Sequence, residues 1–98
     1  MITYEDARRL VEAQLARLAE DAGDCVVLEH STIERPFGWV FFYNSREYVE
    51  TGNELAALAG NAPYIVNRFT GAVVATGTGR PIEHYVSAYE ANLAASGT

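Results

Sequence analysis

The segment from Gly38 to Asn44 constrains the fold of this chain more than any other feature. It reads Gly-Trp-Val-Phe-Phe-Tyr-Asn, with five large apolar or aromatic side chains in succession. Side chains alternate between the two faces of an extended strand, so Trp39, Phe41 and Tyr43 share one face while Val40 and Phe42 share the other. Strands that are apolar on both faces are typical of the interior of a sheet. The segment therefore predicts a central strand.

Amphipathic helices are predicted at both ends of the chain. The first begins after Thr3, whose side chain can cap it, and continues to about Ala22, where Gly23 ends it. The last helix begins at Pro81, which suits the first position of a helix. Both carry apolar side chains every three or four residues, namely Ala7, Leu10, Val11, Leu15 and Leu18 in the first and Ile82, Tyr85, Val86, Tyr89 and Leu93 in the last.

Further β-like segments lie on either side of the central strand. Residues 25–34 are rich in Val, Ile and Thr, and residues 64–67 and 72–76 predict a hairpin that turns through residues 69–71. Between the central strand and the hairpin, Asn53 can cap a short helix over Glu54 to Ala59. In the same stretch Tyr48 and Val49 are compatible with the extension of an edge strand.

The order of these elements is α-β-β-(short α)-β-β-α, which predicts an α+β fold. We expect an antiparallel four-stranded sheet with the N- and C-terminal helices packed on one face. Ninety-eight residues suffice for a single domain, 1–98, with one core. The opposite face of this sheet would then be open, and some aromatic side chains would be exposed there.

The charge of the chain restricts the partners that it can have. The formal net charge is −6, with 13 acidic residues against 7 basic ones, all of them arginine. This balance argues against nucleic acid and anionic membranes, and favours a basic partner if charge contributes to recognition; simple solubility explains it equally well. No apolar run approaches the length of a membrane span. We therefore expect a cytoplasmic protein.

No pattern of residues indicates a metal, a cofactor or a catalytic centre. His30 and His84 have no Cys or Asp at ligand spacing, and His30 is expected as a half-buried strand residue. Cys25 is expected to be buried and reduced. Residues 77–80, Gly-Thr-Gly-Arg, stand before a helix as a phosphate loop would, but a plain turn explains them better because Pro81 removes a donor. The chain is predicted not to be an enzyme.

Protein binding is the remaining class of function. Glu47, Glu50 and Glu54 could form a charge patch that meets Arg or Lys on a partner, although a solvated acidic loop explains them as well. Aromatic side chains nearby are core material first and anchors second. The candidate partner-binding residues are Glu34, Arg35, Phe37, Trp39, Tyr43, Arg46, Glu47, Tyr48, Glu50 and Glu54.

Several stretches of the chain resemble the immunity protein 35 family, also called YrhB-like. They are residues 32–45, Thr-Ile-Glu-Arg-Pro-Phe-Gly-Trp-Val-Phe-Phe-Tyr-Asn-Ser, together with residues 48–52, 58–63 and 81–86. The resemblance covers nearly the whole chain in the same order. It implies a small bacterial α+β protein, encoded beside polymorphic toxins, whose partner is a cognate toxin that it neutralises by binding.

The resemblance also implies an alternative role. Some YrhB-like proteins are thought to act as small chaperones, which would hold unfolded clients on an exposed apolar surface. No catalytic residue and no cofactor come with the family. The identity of the toxin, the surface that binds it and the oligomeric state stay open at this stage.

Overall fold

Two terminal helices flank six strands and a short helix in a computed structural model that describes residues 1–22, 24–57 and 62–96. Three helices are described: α1 (Tyr4–Ala22), α2 (Arg46–Thr51) and α3 (Ile82–Ser96). The strands in these ranges are β1 (Cys25–Val27), β2 (Ile33–Arg35), β3 (Gly38–Phe41), β4 (Tyr43–Ser45), β5 (Tyr64–Asn67) and β6 (Val73–Ala75). This arrangement confirms the predicted α+β class and the order of its main elements.

Strand β3 lies inside the sheet, as its sequence predicts. The main sheet is antiparallel with the order β2-β3-β5-β6, and Trp39 is paired with Val66 across β3 and β5. After Phe42 the predicted central strand continues as β4. Whereas β3 pairs with β2, β4 pairs with β1. The predicted strand over residues 25–34 is interrupted by a 3₁₀ turn, Glu29–Ser31, which divides it into β1 and β2.

The two terminal helices lie on opposite faces of the sheet, so the prediction that both pack on one face was wrong. Helix α1 packs Ala7, Val11 and Leu15 on the face that carries Trp39, Phe41, Tyr43 and Val66. Helix α3 packs Val86 on the face that carries Phe37, Val40 and Ile65, with Ile82 and Tyr89 beside it. The physical reason is that β3 is apolar on both faces, and each face needs its own cover to remove it from water.

The expected open aromatic face is therefore absent from the described part of the chain. Val40 and Ile65, on the face that would have been open, have exposed fractions of 0% and 1%. Burial of the second face explains why a chain of this length reaches an adequate core, because apolar area removed from water is the main favourable term in folding.

The start of α1 is confirmed as predicted. The backbone N–H of Asp6 donates to Thr3 Oγ1 over 3.1 Å, and the N–H of Thr3 donates to Asp6 Oδ2 over 3.2 Å. This reciprocal pair satisfies two donors that a helix start leaves without intrahelical partners. The hydrogen bonds from Thr3 lower the pKa of the Asp6 carboxyl. The predicted stop at Gly23 lies outside the described residues.

Three smaller predictions need correction. Tyr48 and Val49 lie in α2 and do not extend a strand. The predicted helix over Glu54 to Ala59 is a 3₁₀ turn, Glu54–Ala56, in the part that is described, and residues 58–61 lie outside it. His30 is exposed in the 3₁₀ turn after β1 and is not a half-buried strand residue. In each case intrinsic propensity was a poor guide to the form of a short segment.

Gly38 is a position where the fold tolerates no side chain. Its φ is +150°, and a Cβ there would lie 1.9 Å from the carbonyl oxygen of Val66. Gly38→Ala should lower the free energy of unfolding by about 3 kcal/mol or more, because strain and a backbone clash add. Gly71→Ala is the matched control, since its φ is +75° and nothing lies within 4 Å. Urea titration should show a loss of about 1 kcal/mol there, and equal losses in the two variants would contradict this account.

Tyr43 makes the free energy of unfolding depend on pH in the alkaline range. Burial, followed by the neighbouring Tyr64, raises the pKa of Tyr43 from 10.0 to about 12. The folded state therefore favours the neutral phenol, and this contribution is complete below pH 10.0 and is lost as the pH rises through about 12. Tyr43→Phe should lose less stability than the wild type over that interval, as measured by urea unfolding at each pH. Parallel losses would show that Tyr43 is not the group responsible.

Candidate partner-binding surface

The buried aromatic members of the predicted binding set serve the core. Phe37, Trp39 and Tyr43 have exposed fractions of 5%, 6% and 6%. The Phe37 ring lies 4.9 Å from that of Tyr89, and the Tyr43 ring lies 5.5 Å from that of Tyr64. Side chains enclosed to this extent offer almost no area to a partner. In the described structure Trp39 and Tyr43 pack in the core on one face of the sheet, and Phe37 packs in the core on the other.

Glu34 and Arg35 are exposed on β2, and Arg68 forms hydrogen bonds with both of them. Arg68 Nη2 donates to Glu34 Oε2 over 3.0 Å and to the carbonyl oxygen of Arg35 over 2.8 Å. The Arg68 guanidinium carbon also lies 4.8 Å from the centre of the Trp39 ring, as in a cation–π contact. Sequence reasoning missed Arg68, because its partners are 33 and 34 residues away and only the pairing of β2, β3 and β5 brings them together.

The remaining predicted residues come together in one exposed segment, residues 45–57, which we name the α2 platform. It comprises the end of β4, helix α2 and the 3₁₀ turn Glu54–Ala56. Neither α2 nor the 3₁₀ turn contains a buried residue. The platform carries Arg46, Glu47, Tyr48, Glu50 and Glu54.

Polar contacts of its own residues give the α2 platform its form. Ser45 Oγ accepts from the backbone N–H of Tyr48 over 3.1 Å, which caps α2, and donates to the carbonyl oxygen of Ala56 over 2.6 Å. Gly52 ends α2 with a φ of 73°, and Asn53 Oδ1 caps the 3₁₀ turn by accepting from the N–H of Leu55. A helix of six residues is not stable by itself in water. These caps therefore account for the order of a segment in which Ser45 alone is buried.

Asp24 joins the α2 platform to the rest of the protein. The backbone N–H of Arg46 donates to the Asp24 carbonyl oxygen over 2.9 Å, and Arg46 Nε forms an ion pair with the Asp24 carboxylate. The side-chain hydrogen bond with Asp24 raises the pKa of Arg46. Asp24 was not among the predicted site residues. Its role depends on the pairing of β1 with β4, which the sequence does not specify.

The α2 platform borders an open acidic groove. The groove has a volume of about 550 Å³ and is lined by Asp24, Ser45, Arg46, Glu47, Glu50, Thr51 and Ala56. Arg46 is the one cation among residues 45–57 and forms an ion pair with Asp24, so the carboxylates Glu47, Glu50 and Glu54 outnumber the positive charge on the platform. Carboxylates grouped in this way produce a negative potential, which attracts positively charged groups.

An apolar side chain stands out from this acidic surface. Leu55 has an exposed fraction of 96%, and Val49, on α2, has 45%. Sequence reasoning did not single out Leu55, which lay within the predicted helix over Glu54 to Ala59. The shorter 3₁₀ turn leaves it in solvent. The α2 platform thus carries an exposed leucine and three carboxylates, and interfaces combine an apolar centre with a polar rim.

No group of three or more His, Cys, Asp or Glu is placed to hold a metal ion among the residues that the structure describes. His84 is exposed and contacts only the edge of the Tyr85 ring among the aromatic neighbours described. Cys25 is buried, as predicted, and burial raises the pKa of its thiol.

The loop at residues 77–80 has a structural explanation. A Cβ at Gly77 would lie 2.6 Å from the hydroxyl oxygen of Tyr85, so a larger residue there would displace the end of that side chain on α3. Packing against Tyr85 is therefore a reason for glycine at this turn. Within the described ranges, none of the helices is both long and apolar enough to pass through a bilayer.

Comparison with known proteins agrees with the resemblance seen in the sequence. The family model described as immunity protein 35 matches residues 5–91. The protein named "Uncharacterized protein YrhB" of Escherichia coli (strain K12) is 40% identical over 98 residues, which cover 99% of this chain and 98% of that protein. No solved structure matches the chain. The match extends over α2 and all six described strands, nearly all of α1, and α3 as far as residue 91, and the chain therefore belongs to the immunity protein 35 family.

Proposed function

We propose that this protein is a non-catalytic immunity protein that binds a cognate bacterial toxin in the cytoplasm and neutralises it through the α2 platform. Membership of the immunity protein 35 family supports the kind of partner. The observation that carries the choice of surface is Leu55, which is 96% exposed on the same segment as Glu47, Glu50 and Glu54. A basic surface with an apolar recess is the complementary partner.

The order of the α2 platform supports this proposal independently of its charge. Caps at Ser45, Gly52 and Asn53 fix the segment, although none of α2 or the following turn is buried. A surface that is already ordered loses less conformational entropy on binding, which increases affinity. An ordered segment of this kind, with no buried residue in α2 or the turn, can help recognition but adds little to the stability of the fold.

The exposed residues on β2 are a proposed second contact. Glu34 and Arg35 are held by Arg68 and stand at the opposite edge of the sheet from β6. Charged residues at the rim of an interface affect the rate of association more than the affinity. We therefore assign them a secondary role, with the main binding energy on the α2 platform.

A chaperone-like role is the alternative, and the fold gives it less support. It rested on an open aromatic face of the sheet, and both faces are covered by α1 and α3. The large apolar side chains that are exposed, among them Leu55 and Phe69, stand on separate elements. Single exposed apolar residues are common on globular proteins and do not form a surface for unfolded clients.

The first experiment is a pulldown of the tagged protein from extracts of its native cells, together with co-expression of the product of the adjacent gene. We expect one stoichiometric partner, and a loss of that partner's toxicity when both are expressed. Many substoichiometric clients, together with suppressed aggregation of unrelated proteins, would overturn the proposal in favour of the chaperone-like role.

Reversal of charge on the α2 platform should weaken the complex. Glu47→Arg with Glu50→Arg replaces attraction by repulsion toward a basic partner, and we expect an affinity at least about tenfold lower, equivalent to about 1.4 kcal/mol. The control is Glu83→Arg with Glu90→Arg, the same change of charge on α3. Calorimetric titration with the captured partner measures both. Equal affinity of the two double variants would exclude the α2 platform as the charged contact.

Truncation of Leu55 should weaken the same complex without affecting the fold. Since 96% of the residue is exposed, Leu55→Ala should leave the urea midpoint unchanged. An anchor buried in a partner's recess contributes about 2 kcal/mol, so the dissociation constant should rise by about thirtyfold. Phe69→Ala, at the tip of the hairpin and 63% exposed, is the matched control. Unchanged affinity of Leu55→Ala would remove this residue from the interface.

A further inference from the structure

Strand β6 has a free edge in the described part of the chain. The sheet order is β2-β3-β5-β6, so β6 pairs with β5 on one side only. The N–H of Asn67 donates to the carbonyl oxygen of Ala72, and the N–H of Thr76 donates to that of Pro63, each over 3.0 Å. Hydrogen-bonded pairs alternate along an antiparallel ladder, so Val74 is bonded to β5. The N–H and C=O groups of Val73 and Ala75 therefore point outward.

The two edge strands of the sheet, β2 and β6, differ in how they are protected against pairing with another chain. Strand β2 carries Glu34 and Arg35, and Pro36 follows it. Charged residues and proline are the usual devices that stop an edge from pairing with another strand. From Phe69 to Gly79 the chain contains no charged residue and no proline. The β6 edge thus has outward backbone groups with neither charge nor proline on its strand, and only the short length of the strand, three residues, limits its pairing.

We propose that β6 pairs antiparallel with β6 of a second copy of this chain, to give a symmetric dimer with one continuous sheet. With the two-fold axis at Val74, Val73 of each copy lies opposite Ala75 of the other. Residues that point outward in this way exchange both of their backbone hydrogen bonds when they are opposite each other. The two Val74 residues face each other at the axis, where side chains of an antiparallel pair approach most closely.

The second copy suits this edge because of charge and symmetry. Two copies of a chain with a net charge of −6 repel each other. The stretch from Phe69 to Gly79 contains no charged residue, so two copies that meet there bring no like charges together within it. The pairing is isologous and closed, as in most homodimers. Val74, now 40% exposed, would gain cover. Three residues per strand bury less than the roughly 1,000 Å² typical of a stable interface, so the dimer should be weak and dependent on concentration.

Amide hydrogen exchange of the whole chain, read by nuclear magnetic resonance over a range of concentrations, tests the pairing directly. The amides of Val73 and Ala75 should exchange rapidly in dilute protein and become protected as the concentration rises, in parallel with dimer measured by sedimentation. The amide of Val74, bonded to β5, should be protected throughout. Failure of Val73 and Ala75 to gain protection at millimolar concentration would overturn the proposal, and so would a monomer at every concentration.

Two variants complete the test. Val74→Lys places two positive charges at the axis and should abolish dimer formation, whereas Ser87→Lys, the same change of charge on α3, should not. Val74→Thr preserves shape without charge and should retain the dimer. If the amides of Val73 and Ala75 became protected only on addition of the captured partner protein, the edge would belong to that partner and self-pairing would be wrong. The proposal does not depend on the α2 platform, so the two can fail separately.

Discussion

The pairing of β3 with β5 is the contact on which the rest of this structure depends. It sets Trp39 beside Val66 on one face and Val40 beside Ile65 on the other, so a single ladder creates both apolar surfaces. Helix α1 covers the first surface and α3 covers the second. Gly38 lets the two strands approach at their end, where a Cβ would meet the carbonyl oxygen of Val66. Loss of this register would expose both surfaces together.

Because the core uses both faces of the sheet, recognition is left to its margins. The aromatic residues that the sequence offered as anchors are enclosed, and the exposed carboxylates and Leu55 lie on a segment that adds nothing to the core. The segment that we propose for recognition thus contributes little to the core, and surface segments of this kind tolerate change better than core residues do.

Sequence reasoning succeeded where a signal is local. The cap at Thr3, the alternation of Trp39, Val40 and Phe41, and the hairpin of β5 and β6 depend on neighbours in the chain. It failed where the signal is distant: Arg68 bridges β2 and β5, and Asp24 meets Arg46 only after β1 pairs with β4. Of the candidate binding residues, sequence could place the acidic group near residue 50, but it could not tell which aromatic residues would be buried.

The sequence by itself determined the composition of each element, the apolar character of both faces of β3, and membership of the immunity protein 35 family. The tertiary structure decided the side on which each helix packs, the residues that remain in solvent and the edge that stays unpaired. The physical reason is that periodicity records which residues need burial but not what buries them. Which element covers each apolar residue depends on the register of the strands and on the path of the chain, and these are set by many weak contacts over the whole molecule.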